Sequence, residues 1–147
     1  MAFHIYLSGE IHTSWRDNII DNAKKLNRNI YFSSANTDHI ASDAAGDILG
    51  EERKGFWRDH RSAKVNAIHT RNQINKSDLV IIRFSDQYRQ WNAAFDAGYC
   101  TAQNIPFITL HDDDLIHALK EVNAAAMARA KTIEQVNELI DYLTQHL

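Results

Sequence analysis

The segment from Trp91 to Tyr99 places an acid among side chains that are otherwise mostly small or apolar. Asn92, Asp96 and Tyr99 are separated by four and three positions, so they share one face of a helix, and Trp91 lies at its flank. A carboxylate in apolar surroundings has a raised pKa, which is a common property of reactive groups. Asp96 is therefore a candidate functional residue, and the alternative is an exposed acid on an amphipathic helix.

A second polar group comes after the first predicted strand, where Gly9, Glu10 and His12 are followed by Trp15 and Arg16. Glycine allows a tight turn or the close approach of a ligand to the backbone. Glu10 and His12 supply an acid and an imidazole beside it, and the alternative is a solvated turn without chemistry. A phosphate-binding loop is not expected, because neither G-x-x-x-x-G-K-[ST] nor G-x-G-x-x-G occurs.

A third polar group, formed by Asp38, His39, Ser42 and Asp43, follows the second predicted strand. Ser42 and Asp43 are equally well explained as residues that cap a helix. The eight histidines are scattered without H-x-x-x-H spacing, so we expect no metal site, and no motif indicates another cofactor. The single cysteine, Cys100, falls inside a predicted helix and is expected to be a small buried thiol.

Alternating strand and helix patterns must position these three groups. Short apolar runs predict five strands: Phe3 to Leu7, Asn29 to Ser33, Leu79 to Phe84, Phe107 to Leu110 and Ala125 to Ala130. Helical spacing and capping residues predict helices after Ser14, over Asp43 to Leu49, Ser62 to Asn75, Gln90 to Gln103 and Asp113 to Ala124, and after Thr132, with a loop over Gly50 to Asp59.

Five strand–helix units in this order predict an α/β fold with a doubly wound, parallel, five-stranded sheet, flavodoxin-like or Rossmann-like, flanked by helices. Such sheets bind ligands beyond the carboxyl ends of their strands, near the point where the strand order reverses. All three polar groups follow predicted strands, so we expect them to lie at that edge.

The composition fits one ordinary globular domain spanning residues 1–147. The formal charge of −3 gives no electrostatic reason to expect a nucleic-acid polymer, although a nucleotide-sized ligand stays open. The chain starts without a basic, apolar leader and has no long apolar run. We therefore expect no signal peptide, no membrane span and a cytoplasmic location.

Two runs resemble the nucleoside 2-deoxyribosyltransferase superfamily: Lys76-Ser-Asp-Leu-Val-Ile-Ile and Phe95-Asp-Ala-Gly-Tyr-Cys-Thr-Ala-Gln-Asn-Ile-Pro-Phe-Ile. Three motifs look more narrowly like the YtoQ family, and this resemblance runs over nearly the whole chain: Gly9-Glu-Ile-His-x-x-Trp-Arg, Asp38-His-x-x-Ser-Asp and Gln90-Trp-Asn-x-x-Phe-Asp. The resemblance implies the same fold and, through related transferases, assembly into at least a dimer through the helices at 62–75 and 90–103.

The resemblance also implies a reaction. In the transferases a Glu attacks the anomeric carbon, releases the base and holds the sugar covalently, and the matching residue here is Asp96. This chain differs from that pattern in three respects. Asp96 is one methylene shorter, Gln90 stands where the transferases have an acid, and Thr70, Arg71 and Asn72 stand where a second acid is expected.

The resulting hypothesis is an enzyme that transfers or hydrolyses the N-glycosidic bond of a nucleoside or nucleotide. Asp96 would be the nucleophile, with Glu10 or His12 handling protons. The predicted substrate-binding residues are Gly9, Trp15, Arg16, Asp38, His39, Asp43, Arg71, Trp91, Asn92 and Tyr99. A phosphate on the substrate would meet Arg16, Arg71 or Lys64. The alternatives are a nucleotide-binding module without catalysis and a scaffold whose polar face is only solvated.

Overall fold

A computed structural model describes all 147 residues and contains a five-stranded sheet with six α-helices. The strands are β1 (Phe3–Ser8), β2 (Ile30–Ser34), β3 (Leu79–Arg83), β4 (Phe107–Leu110) and β5 (Ala128–Ala130). The helices are α1 (Trp15–Lys24), α2 (His39–Asp43), α3 (Gly55–Asn75), α4 (Trp91–Ala102), α5 (Lys120–Ala125) and α6 (Ile133–Thr144), with 3-10 helices at Ala45–Leu49 and Asp113–Leu115.

All strand pairs are parallel and the strand order is β2-β1-β3-β4-β5, so the predicted doubly wound sheet is confirmed. The chain moves outward from β1 to β2, then returns to place β3 on the other side of β1. The strand order therefore reverses between β1 and β3, and their carboxyl ends mark the crevice where ligands bind in such sheets.

The sheet separates two apolar layers, because successive side chains of a strand point to opposite faces. Ile5 and Leu7 pack with α1 and α6 on one face. On the other face, Tyr6 packs with residues of α3 and α4. The strand β3 is apolar on both sides and is buried from Leu79 to Ile82, as expected for a central parallel strand.

Three helix predictions were wrong in their limits. Helix α3 begins at Gly55 instead of Ser62, because Arg58 pairs with Asp47 at 2.9 Å and ties the first turns of the helix to the 3-10 segment. The helix expected over residues 43–49 is replaced by α2 and that 3-10 segment. The helix expected over residues 113–124 is divided into the 3-10 helix Asp113–Leu115 and α5, and Asp113 is held by ion pairs with Arg129 and Lys131.

The two predicted helix caps behave differently. The Thr132 side chain accepts a hydrogen bond from the backbone N–H of Gln135, which stabilises the start of α6. Ser14 occupies the N-cap position of α1, but its side chain makes no capping hydrogen bond. None of the helices is long and apolar enough to cross a membrane.

Candidate functional site

A pocket of about 860 Å³ lies beyond the carboxyl ends of β1, β2 and β3, between α3 and α4. Nine of the predicted site residues line it: Gly9, Glu10, His12, His39, Asp43, Arg71, Asn92, Asp96 and Tyr99. The same wall contains residues that the sequence did not single out, among them Tyr6, Ser8, Tyr88 and Arg89. The three polar groups that were separate in the sequence therefore meet in one pocket.

Asp96 reaches the pocket from the middle of α4. Its Oδ2 accepts a hydrogen bond of 2.7 Å from the hydroxyl of Ser8, at the end of β1. Its Oδ1 has no hydrogen-bond partner in the chain. Burial among apolar neighbours raises the pKa of Asp96 to about 6, and the Ser8 hydroxyl only partly opposes this. The side chain is thus mostly ionised at neutral pH, with one oxygen held and the other open to a reactant.

Tyr6 forms the floor of the pocket beside Asp96. Its side chain is almost fully buried. Burial raises its pKa to about 12; the nearby Thr70 hydroxyl lowers the pKa in part, whereas the charge of Asp96 adds to the increase. Tyr6 and Ser8 are two positions apart, so they share one face of β1. Polar groups at alternate positions of an otherwise apolar strand were the signal that could have identified both.

Glu10 lies in the loop after β1 with its side chain almost fully buried. It accepts hydrogen bonds from the backbone N–H groups of His12 (2.6 Å) and Thr13 (3.0 Å), from the Thr13 hydroxyl and from Arg83 (2.7 Å). Burial opposes ionisation, but these donors outweigh it and hold the pKa of Glu10 below its usual range. Glu10 therefore stabilises the loop as a permanent anion.

Trp15 and Arg16 lie beneath this loop and outside the pocket. The Trp15 indole donates to the carbonyl oxygen of Glu10 at 2.9 Å. Arg16 donates to the carbonyl oxygens of Leu7, Gly9 and Glu10. Gly9 has φ +147, and a Cβ there would lie 2.9 Å from the carbonyl oxygen of Arg83. These residues shape the loop from below, so the structure places Trp15 and Arg16 away from any substrate in the pocket.

Aromatic rings gather at one side of the pocket. The ring of His12 packs on Tyr88 with centroids 4.6 Å apart, and it meets His39 edge to face at 5.8 Å. His39 also lies 3.4 Å from the carboxylate of Asp43. The group links the loops that follow β1 and β3 with α2, and its flat faces suit a planar ligand.

Arg71 lies on the α3 side of the pocket, with its guanidinium 5.9 Å from the centre of the Tyr99 ring. The Tyr99 hydroxyl donates to Asn75 at 2.9 Å, which fixes the ring. Lys64 and Arg89 line the pocket as well. None of these three cations has an acidic partner within salt-bridge distance, so all are available to an anionic ligand. The chain holds no group of three or more His, Cys, Asp or Glu residues arranged for a metal ion.

Residues 6–144 match the model of a family described as nucleoside 2-deoxyribosyltransferase YtoQ. The chain belongs to this YtoQ family. It is 35% identical over 144 residues to the uncharacterised protein YtoQ of Bacillus subtilis (strain 168), with 97% of both chains covered.

Solved structures show the same fold as this YtoQ-family chain at much lower sequence identity. A conserved protein from Enterococcus faecalis V583 has a TM-score of 0.69 at 13% identity, covering 97% of this chain and 99% of its own. A 2-deoxyribosyltransferase from Bacillus psychrosaccharolyticus has a TM-score of 0.55 at 14% identity, and the match covers 91% of this chain and 90% of the transferase. The response regulator Rcp1 has a TM-score of 0.54 at 11% identity, and the match covers 98% of this chain and 96% of the regulator. It shares the layered α/β architecture.

Three further residues of the YtoQ motifs, of which Asp38 and Trp91 were predicted to bind substrate, have local roles in the structure. The side chain of Gln90 accepts a hydrogen bond from the backbone N–H of Ser85 at 2.9 Å and so closes the loop before α4. The Asp38 side chain caps α2 by accepting from the N–H of Ala41. Trp91 begins α4 and is 72% exposed. Asp38 and Trp91 do not line the pocket, whereas Gln90 does.

Proposed function

We propose that this protein cleaves or transfers the N-glycosidic bond of a nucleoside or nucleotide, with Asp96 as the nucleophile. The observation that carries the proposal is the environment of this carboxylate. It lies in a pocket at the strand-order reversal, its pKa is raised by burial, and one oxygen is free of hydrogen bonds. Membership of the YtoQ family and the fold shared with a 2-deoxyribosyltransferase support the same reaction class.

In the proposed reaction an oxygen of Asp96 attacks the anomeric carbon of the sugar. The new carbon–oxygen bond forms as the carbon–nitrogen bond to the base breaks, and its electron pair leaves with the base, which takes up a proton. A second base or a water molecule then attacks the same carbon, and the carboxylate leaves. A carboxylate suits both steps, since its charge also stabilises the oxocarbenium-like transition state.

His12 is better placed than Glu10 to supply the proton. Both oxygens of Glu10 already accept hydrogen bonds, and its lowered pKa keeps it ionised. The imidazole of His12 is exposed and lies among the aromatic rings where a planar base would pack.

The unpaired cations favour a substrate that carries a phosphate. Lys64 and Arg71 are seven residues apart, so they lie on the same side of α3, and Arg89 comes from the loop before α4. A guanidinium binds phosphate through paired hydrogen bonds, so a nucleoside monophosphate fits this wall better than an uncharged nucleoside.

The test is a panel of nucleosides and their 5′-monophosphates, assayed for released base with and without an acceptor base. Acid-quenched samples should carry the mass of one sugar or sugar phosphate on the peptide that contains Asp96. Asp96→Asn, which keeps the size of the side chain, should show neither release nor adduct. Base release by Asp96→Asn at the wild-type rate would refute the nucleophile.

A nucleotide-binding module without catalysis is the second candidate, and the replaced acids favour it. Asp96 is one methylene shorter than the Glu of the transferases. Gln90 stands where they have an acid, and its side-chain oxygen already accepts a hydrogen bond from Ser85. Thermal shift by an intact nucleotide, with no base released over hours, would support this candidate over the enzyme. Failure of every nucleotide to shift the melting temperature would instead favour the scaffold.

We also propose that the chain forms a homodimer, as the resemblance to the transferases implies. Large apolar side chains are exposed on the two helices expected to form the interface: Ile68 (65%) on α3, and Trp91 (72%) and Phe95 (63%) on α4. Sedimentation equilibrium should give twice the monomer mass for the wild type, and Trp91→Glu should shift it toward the monomer. A monomeric wild type at micromolar concentration would contradict the proposal.

A further inference from the structure

Ser8 donates the only hydrogen bond that the side chain of Asp96 receives. It is the last residue of β1, is 3% exposed and is aligned with Ile82 of the neighbouring strand. The hydroxyl is therefore attached to a rigid part of the sheet, whereas Asp96 lies on a helix that packs against the sheet. A hydroxyl has one proton to donate, and here it is directed to Oδ2 at 2.7 Å.

The orientation of the Asp96 carboxylate depends on this bond. Rotation of a carboxylate about the bond to its Cβ is soft, so packing alone defines it poorly. The nearby Tyr6 hydroxyl and Cys100 thiol make no hydrogen bond to Asp96, and no cation forms an ion pair with it. Without Ser8, the two oxygens of Asp96 would be equivalent and free to exchange places.

We propose that Ser8 is a positioning residue that selects Oδ1 of Asp96 as the attacking oxygen and holds it toward the pocket. The proposal rests on the proposed function of Asp96. The hydroxyl fixes Oδ2, and the free lone pairs of Oδ1 then form the bond to the anomeric carbon. A fixed nucleophile loses less freedom in the transition state. When the carboxylate leaves in the second step, the same hydrogen bond stabilises the returning charge.

The test compares Ser8→Ala with Ser8→Thr, which restores a hydroxyl at the same atom. Ser8→Ala should lower kcat for base release about tenfold to a hundredfold, the loss expected for one hydrogen bond to a charged group, with KM nearly unchanged. The acidic limb of kcat/KM should move to higher pH, because the lost bond favours the ionised form. Ser8→Thr should recover most of kcat.

The matched control is Ser34→Ala. Ser34 is also the last residue of a strand, and its hydroxyl donates to the carbonyl oxygen of Ala35 at 2.9 Å, away from Asp96. This variant should keep the wild-type kcat and pH profile. If Ser8→Ala does not fold, Ser8→Cys, whose thiol is a weaker donor, should show the same changes in smaller measure.

A readout without substrate separates this proposal from the proposed function. Carbon-13 NMR of the Asp96 carboxyl should show a higher pKa in Ser8→Ala than in the wild type. An unchanged titration, or a Ser8→Ala variant with wild-type kcat and pH profile, would overturn the role of Ser8 while leaving Asp96 as the nucleophile. A wild type that releases no base from any substrate would overturn the proposed function, and with it the selection of Oδ1.

Discussion

Two of the carboxylates that line the pocket, those of Glu10 and Asp96, have different surroundings. Glu10 accepts hydrogen bonds from two backbone N–H groups, a hydroxyl and the guanidinium of Arg83. Asp96 accepts one hydrogen bond from a neutral hydroxyl. Burial raises the pKa of both, yet the pKa of Glu10 ends below its usual range and that of Asp96 rises to about 6.

The difference shows that burial does not by itself leave an acid with a raised pKa. A carboxylate whose lone pairs are all used stabilises its loop and has nothing left to offer a substrate. A carboxylate with an unused oxygen in a partly apolar pocket is held at a free-energy cost, which a reaction at that oxygen can relieve. The comparison supports a structural role for Glu10 and is the basis for proposing Asp96 as the nucleophile.

The largest expected effect is on base release by variants of the two acids. Asp96→Asn should lose at least about 10³-fold in kcat/KM, because the amide cannot form the covalent intermediate. Glu10→Gln should stay within about tenfold when assayed well below its melting temperature, since the loop it stabilises still lines the pocket. Steady-state kinetics on the same substrate checks both, and equal losses would end the distinction between the two acids.

The next effect is on the free energy of unfolding, and here the variant of Glu10 should be affected more than the variant of Asp96. Glu10→Gln should lower the free energy of unfolding by about 3 kcal/mol, because the amide leaves Arg83 without its buried anionic partner. Asp96→Asn should be neutral or stabilising. Glu51→Gln, which removes an exposed ion pair with Arg53, is the control and should change little. Urea denaturation measures the stability of all three variants. If Glu10→Gln is as stable as the wild type, the guanidinium of Arg83 must be hydrated in place of its ion pair with Glu10.

A third effect is the pH dependence of stability. The folded-state pKa of Asp96, about 6, lies above the ordinary value of 3.8, so the folded chain binds the proton more tightly than the unfolded chain. The stability of the protein should therefore fall as the pH rises from about 4 to about 6, by about 2 kcal/mol, whereas Asp96→Asn should lack this decrease.

The opposite sign holds for Glu10, whose lowered pKa gives stability that is lost as the pH falls below the usual Glu range. Thermal or urea unfolding at several pH values checks both, and parallel curves for wild type and Asp96→Asn would refute the raised pKa.

Much of the fold could be predicted because its signals are local. The strand at Phe107–Leu110 and the helix at Trp91–Ala102 follow directly from apolar runs and helical spacing. The early start of α3 could not be predicted, because it depends on Arg58 meeting Asp47 eleven residues earlier in the chain. Such contacts between surface segments leave no periodic pattern in the sequence.

In the candidate site, too, some features could be predicted from the sequence and others could not. Asp96 could be identified from its apolar neighbours, and the topology of the sheet brings the loops after β1 and β2 to it. The direction of long side chains could not be identified: Arg16 folds back under its own loop to reach three carbonyl oxygens, although its position suggested a ligand for phosphate. Ser8 was missed since its importance comes from Asp96, 88 residues away.

The smallest expected effect concerns the cations of the pocket. Glu10 has Arg83 as its partner, whereas no cation contributes to the pKa of Asp96. Arg71 is therefore available to the substrate, and Arg71→Gln should raise KM for a nucleoside 5′-monophosphate about tenfold while leaving KM for the uncharged nucleoside unchanged. Arg53→Gln, on an exposed segment away from the pocket, is the control. An equal rise in KM for both substrates would show that Arg71 supports Tyr99 and the pocket wall rather than a phosphate. An Arg71→Gln effect confined to the monophosphate would assign Arg71 to the phosphate, whereas the step at the sugar is tested by the variants of Asp96.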